Sequence, residues 1–458
     1  MTSYMDFLRS KELTAHKRGM DSVPAMSSHL FPFQRACVEH LLRVGSGGLF
    51  LDTGLGKTLC QLEWSWHALS ASNGRALILT PLAVTQQIAR EAQRFGYPAR
   101  VIREQGEAFD GINIANYDRL HLLDPQWFGA VSLDESSILK SFTGKMRVAL
   151  TEAFRSHRWK LSATATPAPN DHMELGQHAE FCSIMQANEM LSRFFINDTS
   201  TASHEWRLKG HAVEPFWNWM ASWSRMATMP SDLGDSDDGF ILPPMKIERH
   251  RAASSQVVTG GLFGDAVMSA TSMHEVKRQT SDARARMAAE LACGTSEPVV
   301  IWVDTDYEAD AVIAALNAPG VVEVRGSMPA ERKEDALAAF ADGSARVLVT
   351  KPSICGFGLN WQHCAQTIFV GRSFSYESWY QAVRRFWRFG QQRTVHVHLI
   401  VAEGEDTIAR VIDRKADGHA EMKAAMRAAM FRNASAATVA KVPYQPTHKG
   451  TLPRWLTA

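Results

Sequence analysis

With 458 residues, 45% hydrophobic and 21% charged, the chain has the composition of a soluble globular protein and is long enough for two or three domains. Lys and Arg total 49 against 48 Asp and Glu, which excludes an overall polycation, so any basic surface must be local. No apolar run has the length of a signal-peptide core or a bilayer span, so we expect a cytosolic protein without a membrane partner. The six cysteines are scattered singly, which predicts reduced thiols rather than a zinc or redox site.

Short apolar runs alternate with amphipathic stretches from Gly48 to about Leu161, beginning with GGLFLD and ending with RWKLSAT. The same alternation returns after Glu297, from EPVVIWVD to TVHVHLI. Alternation of this kind is typical of βαβ units, in which helices cover a parallel sheet. The sequence therefore predicts an α/β protein with two parallel-sheet lobes of similar size.

The stretch between the two α/β patterns is rich in Trp and Met and predicts a mainly helical insertion. We divide the chain into an N-terminal extension (1–29), a first lobe (30–169), the insertion (170–295), a second lobe (296–432) and an irregular tail (433–458). Within the insertion, Trp206, Trp217, Trp219 and Trp223 could stack on bases or wedge a duplex. The i, i+4 spacing of Trp219 and Trp223 favours the core of a helical subdomain. His204 and His211 lack ligand spacing, so no metal site is expected there.

The stretch LFLDTGLGKTLC places Gly54, Gly56, Lys57 and Thr58 between an expected strand and an expected helix. Glycines let backbone N–H groups close around phosphate oxygens, and the helix N-terminus adds positive potential. Lys57 would reach the β and γ phosphates, and Thr58 would offer its hydroxyl to Mg²⁺. Leu51 occupies the first glycine position of the strict GxxxxGK[ST] pattern, and the alternative is a glycine-rich turn with an exposed lysine.

The stretch VSLDESSILKS ends an apolar run in two acids, Asp134 and Glu135. Next to a phosphate site, Asp134 would hold Mg²⁺ through its water shell and Glu135 would act as general base on the attacking water. The alternative is a solvated strand end or a helix N-cap.

The stretch QAVRRFWRFGQ offers Arg385 and Arg388, three residues apart, which predicts that both lie on one helical face. Such arginines would stabilise transition-state charge when the second lobe closes on the first. The alternative is a basic helix face in solvent, with Phe386, Trp387 and Phe389 as its buried side.

Together these stretches resemble the superfamily-two helicases and translocases, and specifically their Swi/Snf-like branch. The resemblance covers residues 30 to 415 apart from the insertion. Its motifs read LFPFQRACVEHLL with Gln34, DTGLGKT (motif I), ALILTPLAVTQQ (motif Ia), IANYDRL (motif Ib), LDESSILK (motif II), LSATATP (motif III), LVTKPSICGFGLNWQHC (motif V) and QAVRRFWRFGQ (motif VI). The resemblance implies two RecA-like lobes that bind ATP and Mg²⁺ between them.

The resemblance also assigns residues to roles. Catalysis would fall to Lys57, Glu135, Arg385 and Arg388, and Mg²⁺ to Thr58 and Asp134. Nucleotide binding would fall to Gln34, Thr53, Gly54, Leu55, Gly56, Lys57, Thr58 and Gly358. Backbone contacts to DNA, without sequence preference, would fall to Thr80, Pro81, Asn116, Tyr117, Arg325, Gly326, Thr350 and Lys351.

Two departures from the branch pattern stand out. Motif II reads DESS, so Ser137 occupies the position that usually couples the ATP state to motif III, and this form resembles a compact phage and prophage group. Motif VI carries Arg384 and Trp387 where the branch often has an acidic or small residue and His. A phage origin would place the protein in the host cytoplasm.

The function implied is a DNA translocase or helicase driven by Mg-ATP hydrolysis, acting in phage replication or recombination. Two alternatives stay open. One is an RNA helicase, and the other is a nucleotide-gated DNA-binding module without processive movement.

Overall fold

The structure, a computed structural model, describes residues 14–141, 144–198, 205–252, 277–355, 361–371, 373, 375–402 and 406–438. Within these ranges the strands form two parallel sheets and one short antiparallel pair. No helix of the described ranges combines the length and the apolar character that crossing a bilayer requires.

The first lobe is built on a seven-stranded parallel sheet with the strand order β3-β4-β2-β5-β6-β1-β9. Its strands are β1 Ser46–Leu51, β2 Arg75–Thr80, β3 Ala99–Val101, β4 Gly111–Asn116, β5 Ala130–Asp134, β6 Trp159–Ala163 and β9 Ser224–Ala227. The central strands are buried on both faces, as their continuous apolar runs require. Because β1 and β5 are both parallel to β6, the chain segments that follow them emerge at the same edge of the sheet.

Helices cover both faces of this sheet, and together with the strands they form the hydrophobic core of the lobe. They are α1 Pro32–Val44, α2 Lys57–Ser70, α3 Thr85–Arg94, α4 Lys145–Ala153 and α5 Leu175–Phe181. The segment before α1 packs Met20, Val23 and Met26 against the same core.

The second lobe is built on a six-stranded parallel sheet with the strand order β10-β15-β14-β11-β13-β12. Its strands are β10 Met245–Ala252, β11 Val299–Trp302, β12 Val321–Val324, β13 Val347–Thr350, β14 Gln366–Phe369 and β15 Val395–Ala402. Its helices are α8 Ser281–Cys293, α9 Asp306–Leu316, α10 Ala330–Ala341, α11 Pro352–Cys355 and α12 Tyr376–Val383. Two parallel-sheet lobes are thus present, as the sequence predicts.

The segment 170–295 is less independent than the predicted insertion. It contains α6 Ala187–Phe194, α7 Val213–Trp223 and the antiparallel strands β7 Phe195–Asp198 and β8 Glu205–Leu208, but it also supplies one edge strand to each sheet. Strand β9 follows α7 directly and pairs with β1, while β10 pairs with β15. The segment therefore ties the two lobes together rather than standing apart from them.

Three of the four tryptophans of this segment are core residues, as the spacing of Trp219 and Trp223 predicts, and Trp206 packs against the same cluster partly buried. Trp217, Trp219 and Trp223 are buried with Phe194 and Phe216 in one aromatic cluster. The last helix, α13 Asp406–Thr438, returns from the second lobe to this cluster and adds four apolar side chains, Met422, Met426, Ala429 and Met430. This helix continues past Arg432 into the predicted tail, of which residues 439–458 lie outside the described ranges.

Candidate functional site

The glycine loop between β1 and α2 forms the floor of the site. Gly54 and Gly56 have φ angles of +94° and +75°, a backbone conformation that favours glycine. A Cβ on Gly56 would lie 2.3 Å from Gln34 Nε2, and one on Gly54 would lie 2.9 Å from the Phe389 backbone nitrogen. The loop is therefore packed so closely by both lobes that neither position has room for a side chain.

Gln34 holds the shape of this loop. Its Nε2 donates to the Leu55 carbonyl at 2.9 Å, and its Oε1 accepts from the Phe31 backbone N–H at 2.9 Å. The side chain is buried, with 3% of its surface exposed, so these two contacts satisfy an amide that would otherwise be costly to bury.

Lys57 is the first residue of α2 and donates from Nζ to the Leu51 carbonyl at 2.9 Å. Burial lowers the pKa of Lys57, and the carboxylates of Glu135, Asp52 and Asp134 oppose this shift. Thr58 follows in the first turn of the helix. The ammonium thus faces three acids, and its present partner is a carbonyl that an anionic ligand could replace.

Asp134 ends β5 with its carboxylate fixed on both oxygens. Gln61 Nε2 donates to one oxygen at 2.8 Å, and Thr80 Oγ1 donates to the other at 2.9 Å. The Tyr117 hydroxyl donates to the Asp134 backbone carbonyl at 2.6 Å. Fixed carboxylate oxygens at a strand end are suitable ligands for a hard divalent cation.

Glu135 follows Asp134 in a left-handed backbone conformation, with φ 49°. For a residue with a Cβ this conformation is strained, and such strain concentrates at functional sites. Thr164 Oγ1 donates to Glu135 Oε2 at 3.3 Å. Burial, reinforced by the Asp134 charge, raises the pKa of Glu135 to about 7, although Lys57 and Arg385 oppose the shift. A carboxylate with this pKa can accept a proton near neutral pH.

The serine that connects motif II to motif III is Ser136. Its Oγ lies 3.0 Å from Ser162 Oγ, and Ser162 Oγ lies 2.6 Å from His178 Nδ1. Burial lowers the pKa of His178 to about 4, so the ring is neutral and its Nε2 donates to the Pro167 carbonyl. The neighbouring Ser137 instead turns its Oγ toward the Glu135 carbonyl, at 3.5 Å.

The arginines of motif VI do not share a helical face, so that prediction is wrong. Helix α12 ends at Val383, and the following residues form turns. The charges of both side chains nevertheless influence the first lobe. The Arg385 charge opposes the rise in the pKa of Glu135, and the Arg388 charge adds to the lowering of the pKa of Lys57. Arg385 is 4% exposed and donates to the Gln381 carbonyl at 3.2 Å.

A cluster around Asp52 joins the lobes and was not foreseen as a site. The carboxylate accepts from Arg384 Nη2 at 2.6 Å, from Lys423 Nζ of α13 at 3.1 Å, and from the Tyr380 hydroxyl. Burial raises the pKa of Asp52, but the charges of Arg384 and Lys423 outweigh it and leave the pKa below its ordinary value. Local sequence gives no signal for this cluster, because its members lie more than 300 residues from Asp52.

A second contact between the lobes lies beside Glu135. Glu377 of α12 forms an ion pair with Lys140 and accepts from Thr166 Oγ1 at 3.5 Å. Its charge adds to those that raise the pKa of Glu135. Motif II, motif III and the second lobe are therefore in direct contact.

An apolar cavity of about 410 Å³ adjoins the glycine loop. It is lined by residues of the loop and by side chains from both sides of the cleft, namely Asp52, Thr53, Gly54, Leu55, Thr228, Met229, Phe240, Ile241, Leu242, Arg384, Trp387 and Phe389. The rings of Phe240 and Phe389 lie 5.1 Å apart between centroids. Apolar walls with a few charged groups at one end suit a flat heterocycle that carries an anionic tail.

The residues expected to contact nucleic acid differ in accessibility. Thr80 and Tyr117 are buried, and both donate hydrogen bonds to Asp134. Thr350 is also buried, with its hydroxyl donating to the Val324 carbonyl. Asn116 is only 9% exposed. This removes four side chains from the set that can reach a phosphate in this arrangement of the lobes. Pro81, Arg325, Gly326 and Lys351 remain at least partly accessible. Gly358, which was predicted to bind the nucleotide rather than the polymer, lies outside the described residues.

The composite site depends on groups that the second lobe supplies. Residues 284–390 match the family described as Helicase conserved C-terminal domain. This helicase C-terminal match begins within α8, spans β11 to β14, and includes Arg384, Arg385 and Arg388.

Similarity to known proteins extends over most of the chain. Putative protein p41 of Acyrthosiphon pisum secondary endosymbiont phage 1 is 24% identical over 456 residues, covering 83% of this chain and 94% of that protein. The solved structure of S. cerevisiae Dbp5 bound to RNA and ADP BeF3 is 12% identical with a TM-score of 0.55, covering 86% of this chain and 93% of that chain. The Sulfolobus solfataricus SWI2/SNF2 ATPase core in complex with dsDNA is 18% identical with a TM-score of 0.41, covering 88% and 94%. The likeness to Dbp5 confirms the predicted fold of two RecA-like lobes.

Proposed function

We propose that this protein is a nucleic-acid-stimulated ATPase that moves on or remodels DNA. The observation that carries the proposal is the composite site: the glycine loop of the first lobe packs against Phe389 of the second, and Asp52 beside the loop pairs with Arg384 at 2.6 Å. The charges of Arg385 and Arg388 also shift the pKa values of Glu135 and Lys57. A site divided between two lobes is completed or broken by their relative movement, which is how hydrolysis can drive motion.

ATP is the substrate that the site fits best. The glycine loop has no room for side chains and presents backbone N–H groups at the start of α2, where a triphosphate would bind. Lys57 would exchange the Leu51 carbonyl for phosphate oxygens. The adjoining cavity, with Phe240 and Phe389 in its walls, would take the base.

Thr58 and Asp134 are the residues that would hold Mg²⁺. The donors are hydroxyl and carboxylate oxygens, which this cation prefers, and Asp134 is held in place by Gln61 and Thr80. When bound, Mg²⁺ neutralises phosphate charge and acts as a Lewis acid.

Glu135 is the proposed general base. Its pKa of about 7 lets it take a proton from the attacking water near neutral pH. Arg385 and Arg388 would stabilise the negative charge that develops on the transferring phosphoryl group. Thr164, which donates to Glu135, belongs to motif III, so the position of the base is linked to the region that meets Glu377 of the second lobe.

The polymer would be held by its phosphates. Of the expected contact residues, Lys351 lines a cavity of about 80 Å³ together with Asp304, Ser353, Ser373, Ser375 and Ser378. Its ammonium pairs with the exposed Asp306 carboxylate at 2.9 Å, a partner that a phosphate would have to replace. Hydroxyls and an ammonium in one cleft can bind phosphate oxygens without reading bases. The motifs of the Swi/Snf-like branch favour DNA over RNA as the polymer. The likeness to a phage protein supports a phage origin, and thus a role in phage replication or recombination in the host cytoplasm.

The test is the rate of ATP hydrolysis with single-stranded, duplex and forked DNA and with RNA. We expect DNA to stimulate turnover and Lys57→Ala to abolish it, while Lys145→Ala, an exposed helix position, leaves the rate unchanged. Stimulation by RNA alone would identify an RNA helicase. ATP-dependent DNA binding without turnover would identify a nucleotide-gated binding module, and no response to any polymer would contradict the proposal.

A further inference from the structure

Histidine and glutamate side chains converge at one edge of the second sheet, apart from the glycine-loop site. His250 Nε2 lies 3.0 Å from His398 Nδ1, and His398 Nδ1 lies 3.6 Å from Glu248 Oε2. The three ligand atoms lie within 4.8 Å of one another.

Strand register explains this convergence. Strands β10 and β15 are parallel neighbours, and Glu248 is directly opposite His398. Side chains alternate between the faces of a sheet, so Glu248 and His250 share a face with His396 and His398. Two strands thus place four potential metal ligands or supporting groups side by side.

Two of the three separations are close to those around a tetrahedral ion, and the third lies within 4.8 Å. With metal–ligand bonds of about 2.0–2.1 Å, neighbouring ligand atoms are about 3.3 Å apart. The observed 3.0 Å and 3.6 Å lie on either side of this value.

We propose that Glu248 Oε2, His250 Nε2 and His398 Nδ1 bind a divalent transition-metal ion, with zinc as the best fit. Imidazole nitrogens together with a carboxylate suit zinc better than Mg²⁺ or Ca²⁺, which prefer oxygen donors. Three protein ligands leave a fourth position, and a cavity of about 460 Å³ beside His250 and His398 has room for water or another small ligand there.

His396 is the supporting residue. Its Nδ1 lies 3.5 Å from Glu248 Oε1, the oxygen that does not face His398. Its ring lies nearly parallel to that of His398, with an interplanar angle of 18° and centroids 6.4 Å apart. A donor on the second carboxylate oxygen would orient the first toward the ion, as outer hydrogen bonds commonly do at metal sites.

The ion would fasten β10 to the second sheet. Strand β10 is the edge strand through which the chain enters this lobe, and it begins at Met245. Just before it, the Pro243 carbonyl accepts from Trp387 Nε1 at 2.7 Å. An ion that binds only the folded edge would stabilise it by an amount that rises with the logarithm of the ion concentration. The ion would therefore strengthen the connection between the lobes without taking part in ATP hydrolysis.

The experiment is calorimetric titration of the nucleotide-free protein with Zn²⁺, with Co²⁺ absorption as a spectroscopic check on coordination. All proteins carry Cys293→Ser, because this exposed thiol could bind zinc by itself. We expect one saturable Zn²⁺ site in this background. The Zn²⁺ affinity should fall by at least about 100-fold in His250→Ala and by about 10-fold or more in Glu248→Gln. The matched control His211→Ala, at an exposed position, should bind as the background does.

A second measurement guards against misfolding. Zn²⁺ should raise the thermal midpoint of the background protein and of His211→Ala, but not that of His250→Ala, whose midpoint without metal should stay close to the background. No saturable Zn²⁺ binding, or equal binding by His250→Ala, would overturn the proposal and leave the cluster as a set of hydrogen bonds between side chains. Neither result depends on whether the protein hydrolyses ATP.

Discussion

Replacing Glu135 by Gln tests whether the buried carboxylate of the proposed base destabilises the folded state. The substitution keeps the shape and the acceptor for Thr164 Oγ1 but removes the charge. Because burial and Asp134 raise the pKa of Glu135 from 4.5 to about 7, the native state binds this proton more tightly than the unfolded chain does. Unfolding free energy therefore falls as the pH rises from 4.5 to 7, and the loss is complete above pH 7.

The size of the effect follows from the same shift. A rise from 4.5 to about 7 corresponds to about 3 kcal/mol of native-state destabilisation at pH 8. The attraction of Lys57 and Arg385 for the carboxylate opposes this rise, and the pKa of about 7 already includes it. We expect Glu135→Gln to be more stable than the wild type by about 3 kcal/mol at pH 8, with the difference falling below about 1 kcal/mol near pH 5.

The assay is thermal and denaturant unfolding of both proteins without nucleotide from pH 5 to pH 8.5, alongside ATP turnover. Turnover by Glu135→Gln should be abolished while ATP binding is retained. For the wild type, kcat/KM should fall as the pH drops through about 7, because the base must be deprotonated in the free enzyme. A stability difference that does not change with pH, or normal turnover by the variant, would refute the reasoning.

Three further variants test other parts of the structure. Arg385→Ala should lower kcat by about 10³-fold with little change in ATP affinity, whereas Arg393→Ala, at an exposed position, should leave kcat unchanged. Equal kcat values for the two variants would show that Arg385 takes no part in catalysis. Asp52→Asn should destabilise the protein by about 3 kcal/mol in denaturant unfolding, because Arg384 would stay buried without its carboxylate, and an unchanged midpoint would show that the cluster does not hold the lobes together. Trp219→Ala, which empties a position in the aromatic cluster, should cost about 3–5 kcal/mol by the same assay and leave ATP affinity unchanged if the residue is only core.

Local sequence predicted those parts of the site in which neighbouring residues act together. The glycine loop depends on a short strand–turn–helix stretch, and Asp134 with Glu135 depends on where one strand ends. Both were predicted from residue type and spacing, because backbone conformation and strand periodicity are properties of short segments. The fold class followed from the same periodicity.

Accessibility could not be predicted in this way. Thr80 and Tyr117 read as loop residues able to meet phosphates, yet both are buried against Asp134. Polarity alone does not show whether a hydroxyl faces solvent or satisfies a buried carboxylate. The turns that carry Arg385 and Arg388 were read as helix for a related reason: their spacing suits a helix, but α12 ends at Val383.

By itself, the sequence determined the two α/β lobes, the glycine loop and the acid pair, since each is encoded over a few consecutive residues. Only the tertiary structure decided which distant groups meet. The Asp52 carboxylate pairs with Arg384 and Lys423, and Glu248 lies opposite His398 on a neighbouring strand that is far away in the chain. The physical reason is that charge pairing and ligand convergence depend on strand order and lobe packing, which bring together residues that no local pattern connects.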